Sequence, residues 1–528
     1  MIDITKMANS GYFLSHADFY GRDRSFTKIL AGNDRKALAS VLSRISFVQK
    51  DELSFRQWGI QTLCKTAAKK SAAAERTVFT RLQCWRLWSL LFSEWIPGSK
   101  YITRRRDFDV IHELFAKLND RPDHDNDDGH QVFLKSITGN SRDNYVSKLG
   151  RTQSIFFTES PLTPYIKVFE ESIGVSIETY VNVIFHILAR WHGIREGQDT
   201  LPSLERWAVS AKSLSMELNV SVEEVSAILK EISFTTSEGR KFAEEFIDQP
   251  NEFMFFRARP LFEIKSGLFI PVEGKLCEEL LFENLMYRIH KANGEKNEFL
   301  ILFGVQFERY AQQYAAKFLK DLPNYELIEE FSFGSKKRPG KSSDIIISVP
   351  AEQAVAVFEL KSARPLYASL SRDGDPDSIE KSMYKLFEYP ILQAFEAVQK
   401  IIKAEAHPAF TKDAKYAFVS VTMNNYPMTL YRLNIQDGFG RDMSSAMYSF
   451  DIETFEVLMR AARHSAEFNV LGLLHECGKK RDEMMMSAKT VFSRYIDYMV
   501  SEGSTQEEFY HAVQLDICRK NFAYFQRP

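Results

Sequence analysis

The chain has 528 residues, 45% of them hydrophobic and 26% charged, with a formal net charge of −2. That length and balance describe an ordinary globular protein of two to four domains with a sizeable core. They exclude a chain drawn to nucleic acid by its overall charge, so such a partner needs a local basic patch. Aromatics at 13%, including 42 Phe, argue against long disordered tracts. The five cysteines include no C-x-x-C pair and fit reduced thiols, not a disulfide framework or a cysteine zinc site. No apolar stretch approaches the roughly 18 residues a membrane span needs, and MIDITKMANS lacks a secretory pattern. A cytoplasmic protein without a membrane partner is expected.

Residues 1–256 read mostly as helices, clearest at 75–94, 176–191 and 221–232. Ser221 followed by Glu224 is a capping-box pattern for the last. Residues 203–235 suit two packed helices better than a DNA-reading helix-turn-helix, because no basic face follows. The polar loop 121–130 holds His124, Asp125, Asp127 and His130; its charge and glycine content fit a solvated loop better than a metal site. From 257 short apolar runs broken by Gly and Pro predict a hairpin, followed by a helix over 275–291. A second helix spans 299–320, with Phe303, Phe307, Tyr310, Tyr314 and Phe318 as its buried stripe. Strands are expected at 324–333, 344–349, 354–361 and 415–423, with a long helix over 378–404 before the last. The order is α-β-β-β-α-β, and 440–528 read mainly as helices.

The stretch GSKKRPGKSSD invites a phosphate-loop reading, but Pro339 stands where the second glycine belongs and the segment leads into a strand. A phosphate loop must open a helix, so no nucleotide-binding loop is expected. Lys336, Lys337, Arg338 and Lys341 instead form a local basic cluster in the loop 334–342.

The next two runs carry the chemistry. If 350–353 is a four-residue hairpin loop, Val349 pairs with Ala354, and counting back sets Asp344 directly opposite Glu359. Opposed residues have Cβ atoms about 4.5–5.5 Å apart, where like charges are destabilising, so the pair requires a cation. Lys361 lies on the same face as Glu359 by the two-residue period of a strand. Hard oxygen ligands of this kind suit Mg²⁺ or Mn²⁺, and an adjacent lysine can orient or deprotonate a bound water.

With SSDIII and VAVFELK supplying Asp344, Glu359 and Lys361 inside an α-β-β-β-α-β order, the chain resembles the PD-(D/E)xK nuclease superfamily, the restriction-endonuclease-like fold. The resemblance covers roughly residues 300–423. It departs from the pattern in having Ser343, not Pro, before Asp344, which does not touch the chemistry. It implies an α/β nuclease core with a large helical N-terminal region and a helical C-terminal extension, divided at 1–256, 257–439 and 440–528. Many members place a further Glu on the first core helix within Phe-Glu-x-Tyr; here Phe307, Glu308 and Tyr310 stand there. Glu308 shares its helix face with Gly304, Ala311 and Ala315, small residues that would let a strand or metal approach. Some members carry a Gln on the later helix, a place Gln393 could fill.

The resemblance implies a Mg²⁺- or Mn²⁺-dependent nuclease cutting DNA, less often RNA. Asp344, Glu359 and the Leu360 carbonyl would bind the metal, with Glu308 holding it or its water shell and Lys361 positioning the attacking water. Lys336, Lys337, Arg338, Lys341 and Arg364 would meet backbone phosphates without reading sequence. Large bacterial proteins joining this core to a helical domain look like effectors of anti-phage defence or restriction, working with a partner protein or as homo-oligomers. The alternative is a nuclease-like fold with an idle site, acting as a nucleic-acid or protein binding module.

Overall fold

A computed structural model describes residues 24–47, 81–96, 105–120, 145–193, 207–246, 252–335, 338–363, 376–424, 446–465 and 468–484, with a few isolated positions besides. The protein is a mixed α/β structure, and the described residues of its N-terminal half are mostly helical. Helices α1 (Phe26–Leu30), α2 (Arg35–Phe47), α3 (Arg81–Ser93) and α4 (Arg105–Leu118) precede α5 (Tyr145–Phe156), α6 (Thr163–Ile173) and α7 (Ile177–Gly193). Two packed helices then follow as expected, α8 (Ala211–Leu218) and α9 (Val222–Ile232). The turn between them uses Asn219 at φ 54°, a left-handed position asparagine tolerates. Ser221 and Glu224 close the expected capping box on α9. Among the described residues no single helix is long and apolar enough to cross a membrane.

Next come β1 (Ser233–Phe234), α10 (Thr236–Glu245) and α11 (Met254–Ala258). The hairpin expected past 257 is β2 (Leu261–Lys265) with β3 (Leu268–Pro271), antiparallel around Gly267 at φ 72°. It does not stand apart from the helical half: β1 adds to it in parallel, and Val209 bridges Phe269. The helix expected over 275–291 is broken. It forms α12 (Gly274–Glu278), a 3₁₀ turn over 279–281 and α13 (Glu283–Ala292), with Phe282 between them at φ −138°, ψ −71°, outside helical geometry.

The long α14 (Asn297–Leu319) buries the expected aromatic stripe from Phe303 to Phe318. The strand expected at 324–333 is interrupted: β4 (Glu326–Ile328) stops, and residues from 332 form a separate hairpin, β5 (Ser332–Ser335) with β6 (Arg338–Lys341). The basic segment read as a loop is therefore largely this hairpin. Strands β7 (Ile345–Val349), β8 (Ala354–Lys361) and β9 (Lys415–Thr422) match expectation. Between the last two, the expected helix over 378–404 has a widened turn. It comprises α15 (Pro376–Met383), a π turn over Tyr384–Glu388 and α16 (Tyr389–Ala404). Pro390 has no N–H to offer the Leu386 carbonyl four residues back. Ser420 on β9 takes that carbonyl instead, its Oγ donating at 2.5 Å.

The main sheet has the order β10-β9-β8-β7-β4. Strand β10 (Met447–Asp451), within the segment read as mainly helical, pairs in parallel with β9, so the sheet runs past residue 439. Strands β4, β7 and β8 form an antiparallel meander, and β9 returns parallel to β8. Both faces of the sheet are covered, and this is why β7 and β8 read as near-continuous apolar runs. One face, with Ile345, Ile347, Phe358 and Leu360, packs into the large core that also holds α14, α17 (Ile452–His464), α18 (Val470–Met484) and the N-terminal helices. The other, with Ile346, Val355, Val357 and Phe418, packs under α16.

A buried ionic network fixes α14 from behind. Tyr310 Oη and Arg151 Nε both donate to Glu456 Oε1, at 2.8 and 2.7 Å. Arg151 also reaches Glu453 at 3.3 Å, and Lys148 pairs with Glu283. Charges this deep are retained only when paired, so the network ties α5, α13, α14 and α17 into one body.

Candidate active site

The hairpin register is the one expected: Val349 pairs with Ala354 and Ile345 with Phe358. Continued by one residue, it sets Asp344 against Glu359. Period-two alternation then puts Asp344, Glu359 and Lys361 on the α16 face of the sheet, at the end of β7 and β8. Asp344 Oδ2 accepts the Leu360 N–H at 2.8 Å, fastening the carboxylate where the ladder ends. The Leu360 carbonyl leaves the strand on that same edge. Glu359 is only 2% exposed, and its ion pair with Lys361 Nζ is long, at 3.5 Å.

Helix α14 brings the remaining groups. Gly304, Glu308 and Gln312 recur every four residues and so share one face. Gln312 Nε2 donates to the Asp344 backbone carbonyl at 3.0 Å. A Cβ at Gly304 would stand 3.3 Å from Ser362 Oγ, so the small residue lets the end of β8 come close. Ala311 and Ala315, expected on that face too, are buried in the core.

The electrostatics follow from burial and crowding. Burial, then Asp344, pushes the Glu359 carboxyl up to about 7, against easing by Lys361. Burial raises Asp344, opposed by the Leu360 N–H and Lys361. Glu308, half-buried, is pushed up to about 7 by burial and then by Asp344. Lys361 eases all three carboxylates and Lys341 two of them, yet each finds ionisation harder than in water. Ser343, buried beside Glu359, has no hydrogen bond of normal geometry for its hydroxyl among the described residues, yet lies close enough to ease that ionisation.

Among the proposed phosphate-binding residues, Lys341 pairs with Glu330 at 3.1 Å, and their charges are felt at Glu308 and Asp344. The cation is therefore partly neutralised. Arg338 lies on β6, whereas Lys336, Lys337 and Arg364 lie outside the described residues, as does the loop with His124, Asp125, Asp127 and His130. Gln393 is exposed on α16, and among the described residues no hydrogen bond joins it to the cluster. Sequence reasoning missed Gln312, Glu330 and Ser362. Only Gln312 had a signal, its place one turn beyond Glu308.

Among the described residues no group of three or more His, Cys, Asp or Glu side chains is arranged to hold a metal ion. The donor chemistry nonetheless fits a hard divalent cation. Such ions take one or two carboxylates and keep several waters, and the Asp344–Glu359 pair carries the uncompensated negative charge that favours one. Compared with known proteins, the chain matches no family model, and no curated protein or solved structure matches it significantly.

Proposed function

We propose that the Asp344–Glu359–Lys361 cluster is the centre of a metal-dependent nuclease of the PD-(D/E)xK type, hydrolysing phosphodiester bonds of nucleic acid, foremost DNA. The observation that carries this reading is the register. Two carboxylates oppose each other at a strand end, with a lysine two residues along the same face. The succession α14, β4, β7, β8, α16, β9 is the order expected of that core. Asp344, Glu359 and the Leu360 carbonyl would hold Mg²⁺ or Mn²⁺, with Glu308 at the rim. The ion, when bound, supplies acidity to a water and offsets charge on the phosphodiester.

The chain's own residues do the rest. Lys361, held by Glu359, orients the attacking water and donates hydrogen bonds toward the scissile phosphate. Gln312 keeps Asp344 in place through its backbone carbonyl. Lys341 and Arg338, with Lys336, Lys337 and Arg364, would contact phosphates along the strand and give affinity without base readout. An effector of restriction or anti-phage defence is the role suggested by joining such a centre to a large helical region.

A second reading, an idle nuclease-like fold that binds without cutting, draws on the lack of a ready three-ligand set among the described residues. Cleavage assays on plasmid, linear duplex, single-stranded DNA and RNA, with Mg²⁺, Mn²⁺ or EDTA, separate the two. The nuclease reading expects metal-dependent cutting that Lys361→Ala abolishes without lowering the melting temperature appreciably. No cutting together with no stabilisation by Mn²⁺ would leave the binding module.

A further inference from the structure

The widened turn between α15 and α16 has an outer face that neither packing nor the carboxylate cluster explains. Tyr384 and Tyr389 are 51% and 48% exposed, large aromatic groups left in water. In an α-helix, residues five apart point in different directions. Here the Tyr389 N–H donates to the Tyr384 carbonyl across a π turn, which brings the two side chains one above the other. Their ring centroids stand 5.9 Å apart at 46°. Lys381 and Lys385 are exposed on the same segment, with Asp377 and Glu380 exposed nearer its start and Glu388 half-buried just before Tyr389.

This face is anchored beside the candidate centre. Leu386, two residues past Tyr384, gives its carbonyl to Ser420, and Ser420 is the direct neighbour of Glu359 across β8 and β9. The bond that replaces the one denied by Pro390 thus holds the inner side of this turn against the sheet next to Glu359, with the tyrosines on its exposed side.

We propose that Tyr384 and Tyr389, flanked by Lys381 and Lys385, form a stacking platform for unpaired bases of a nucleic-acid strand. Its role in delivering that strand to the carboxylate centre rests on the nuclease reading above. Every base offers an aromatic face, so the platform tolerates any sequence, and the lysines meet the strand's phosphates. A duplex, its bases already stacked, gains nothing from it. An apolar protein surface would gain nothing from the lysines.

The test is fluorescence anisotropy in EDTA with labelled single-stranded DNA, RNA of the same sequence and blunt duplex. Wild type, Tyr384→Ala/Tyr389→Ala and Tyr384→Phe/Tyr389→Phe are compared, and thermal melting verifies that each is folded. Single-strand affinity should fall about 10-fold or more in the alanine variant, duplex binding should hardly change, and the phenylalanine variant should bind as wild type. The DNA and RNA arms identify which strand is preferred. Unchanged single-strand binding, an equal loss for duplex, or phenylalanine behaving as alanine would each overturn the platform.

Cleavage by wild type and Lys361→Ala separates the two claims. If Lys361-dependent cutting is seen while the alanine variant binds normally, the platform fails and the nuclease stands. If stacking is lost in the alanine variant but no metal-dependent cutting exists, the platform stands and the nuclease reading fails.

Discussion

Replacing Glu359 by Gln tests the electrostatics of the cluster without assuming catalysis. In the folded protein the Glu359 carboxyl is raised from 4.5 to about 7. A carboxyl raised on folding keeps its proton longer in the native state. The stability it contributes is therefore complete below about pH 4.5, is lost as pH climbs to about 7, and is level above. At ~1.36 kcal/mol per pH unit, the interval from 4.5 to about 7 corresponds to about 3 kcal/mol. With the residue 2% exposed, solvent screening removes little of this. Unfolding entropy of ~2.1 cal/mol/K per residue over 528 residues gives about 1.1 kcal/mol/K, so the loss equals about 3 °C if the chain unfolds as one. Gln cannot ionise. In EDTA the melting temperature of Glu359→Gln relative to wild type should thus rise by about 3 °C between pH 4.5 and pH 8, whatever the offset at the acid end. A difference that stays constant across that range would refute the rise of the Glu359 carboxyl that burial, and then Asp344, produces. Mn²⁺ at pH 8 should narrow the gap, because only wild type keeps both carboxylates, and ligand at 100 times its Kd stabilises by ~2.7 kcal/mol.

Gln312→Ala removes the hydrogen bond to the Asp344 carbonyl; we expect a stability loss of about 1 kcal/mol in denaturant titration. If the cluster cuts nucleic acid, the misplaced carboxylate should lower the cleavage rate by about 10-fold or more with little change in substrate affinity. Arg151→Met removes the buried guanidinium paired with both Glu453 and Glu456 and should cost about 3–5 kcal/mol. Tyr310→Phe, which removes one donor to Glu456, should cost about 1–3 kcal/mol, and reversed magnitudes in thermal melting would show that the network is not organised around Arg151.

The hairpin of β7 and β8 was legible to the residue because its evidence is local: a four-residue loop and two β-branched runs fix the pairing of Val349 with Ala354 and hence the opposition of Asp344 and Glu359. The aromatic stripe of α14 was legible for the same reason. What escaped depends on distant partners. The segment MYSFD becomes β10 only because β9 offers an edge, and a run of five residues carries little pattern alone. The break at Phe282, the hairpin inside 332–341 and the π turn before Pro390 are set by packing and by a hydroxyl on another strand. Glu308 was found through a motif, but Gln312 and Glu330 come to the cluster by tertiary approach, and a linear pattern does not encode that.

The network around Arg151 also bears on how the chain matures. Arg151 and Glu456 are 305 positions apart, and α14, with Tyr310, lies between them in sequence. On a ribosome, α14 emerges long before its last electrostatic partner exists, and closing so long a loop is slow. A nascent chain ending before Glu453 leaves Arg151 without two of its counter-charges. The buried network behind α14 is thus completed only once α17 has been made. Excising residues 257–439 would cut the scaffold of α14 on both sides instead of releasing a self-sufficient unit.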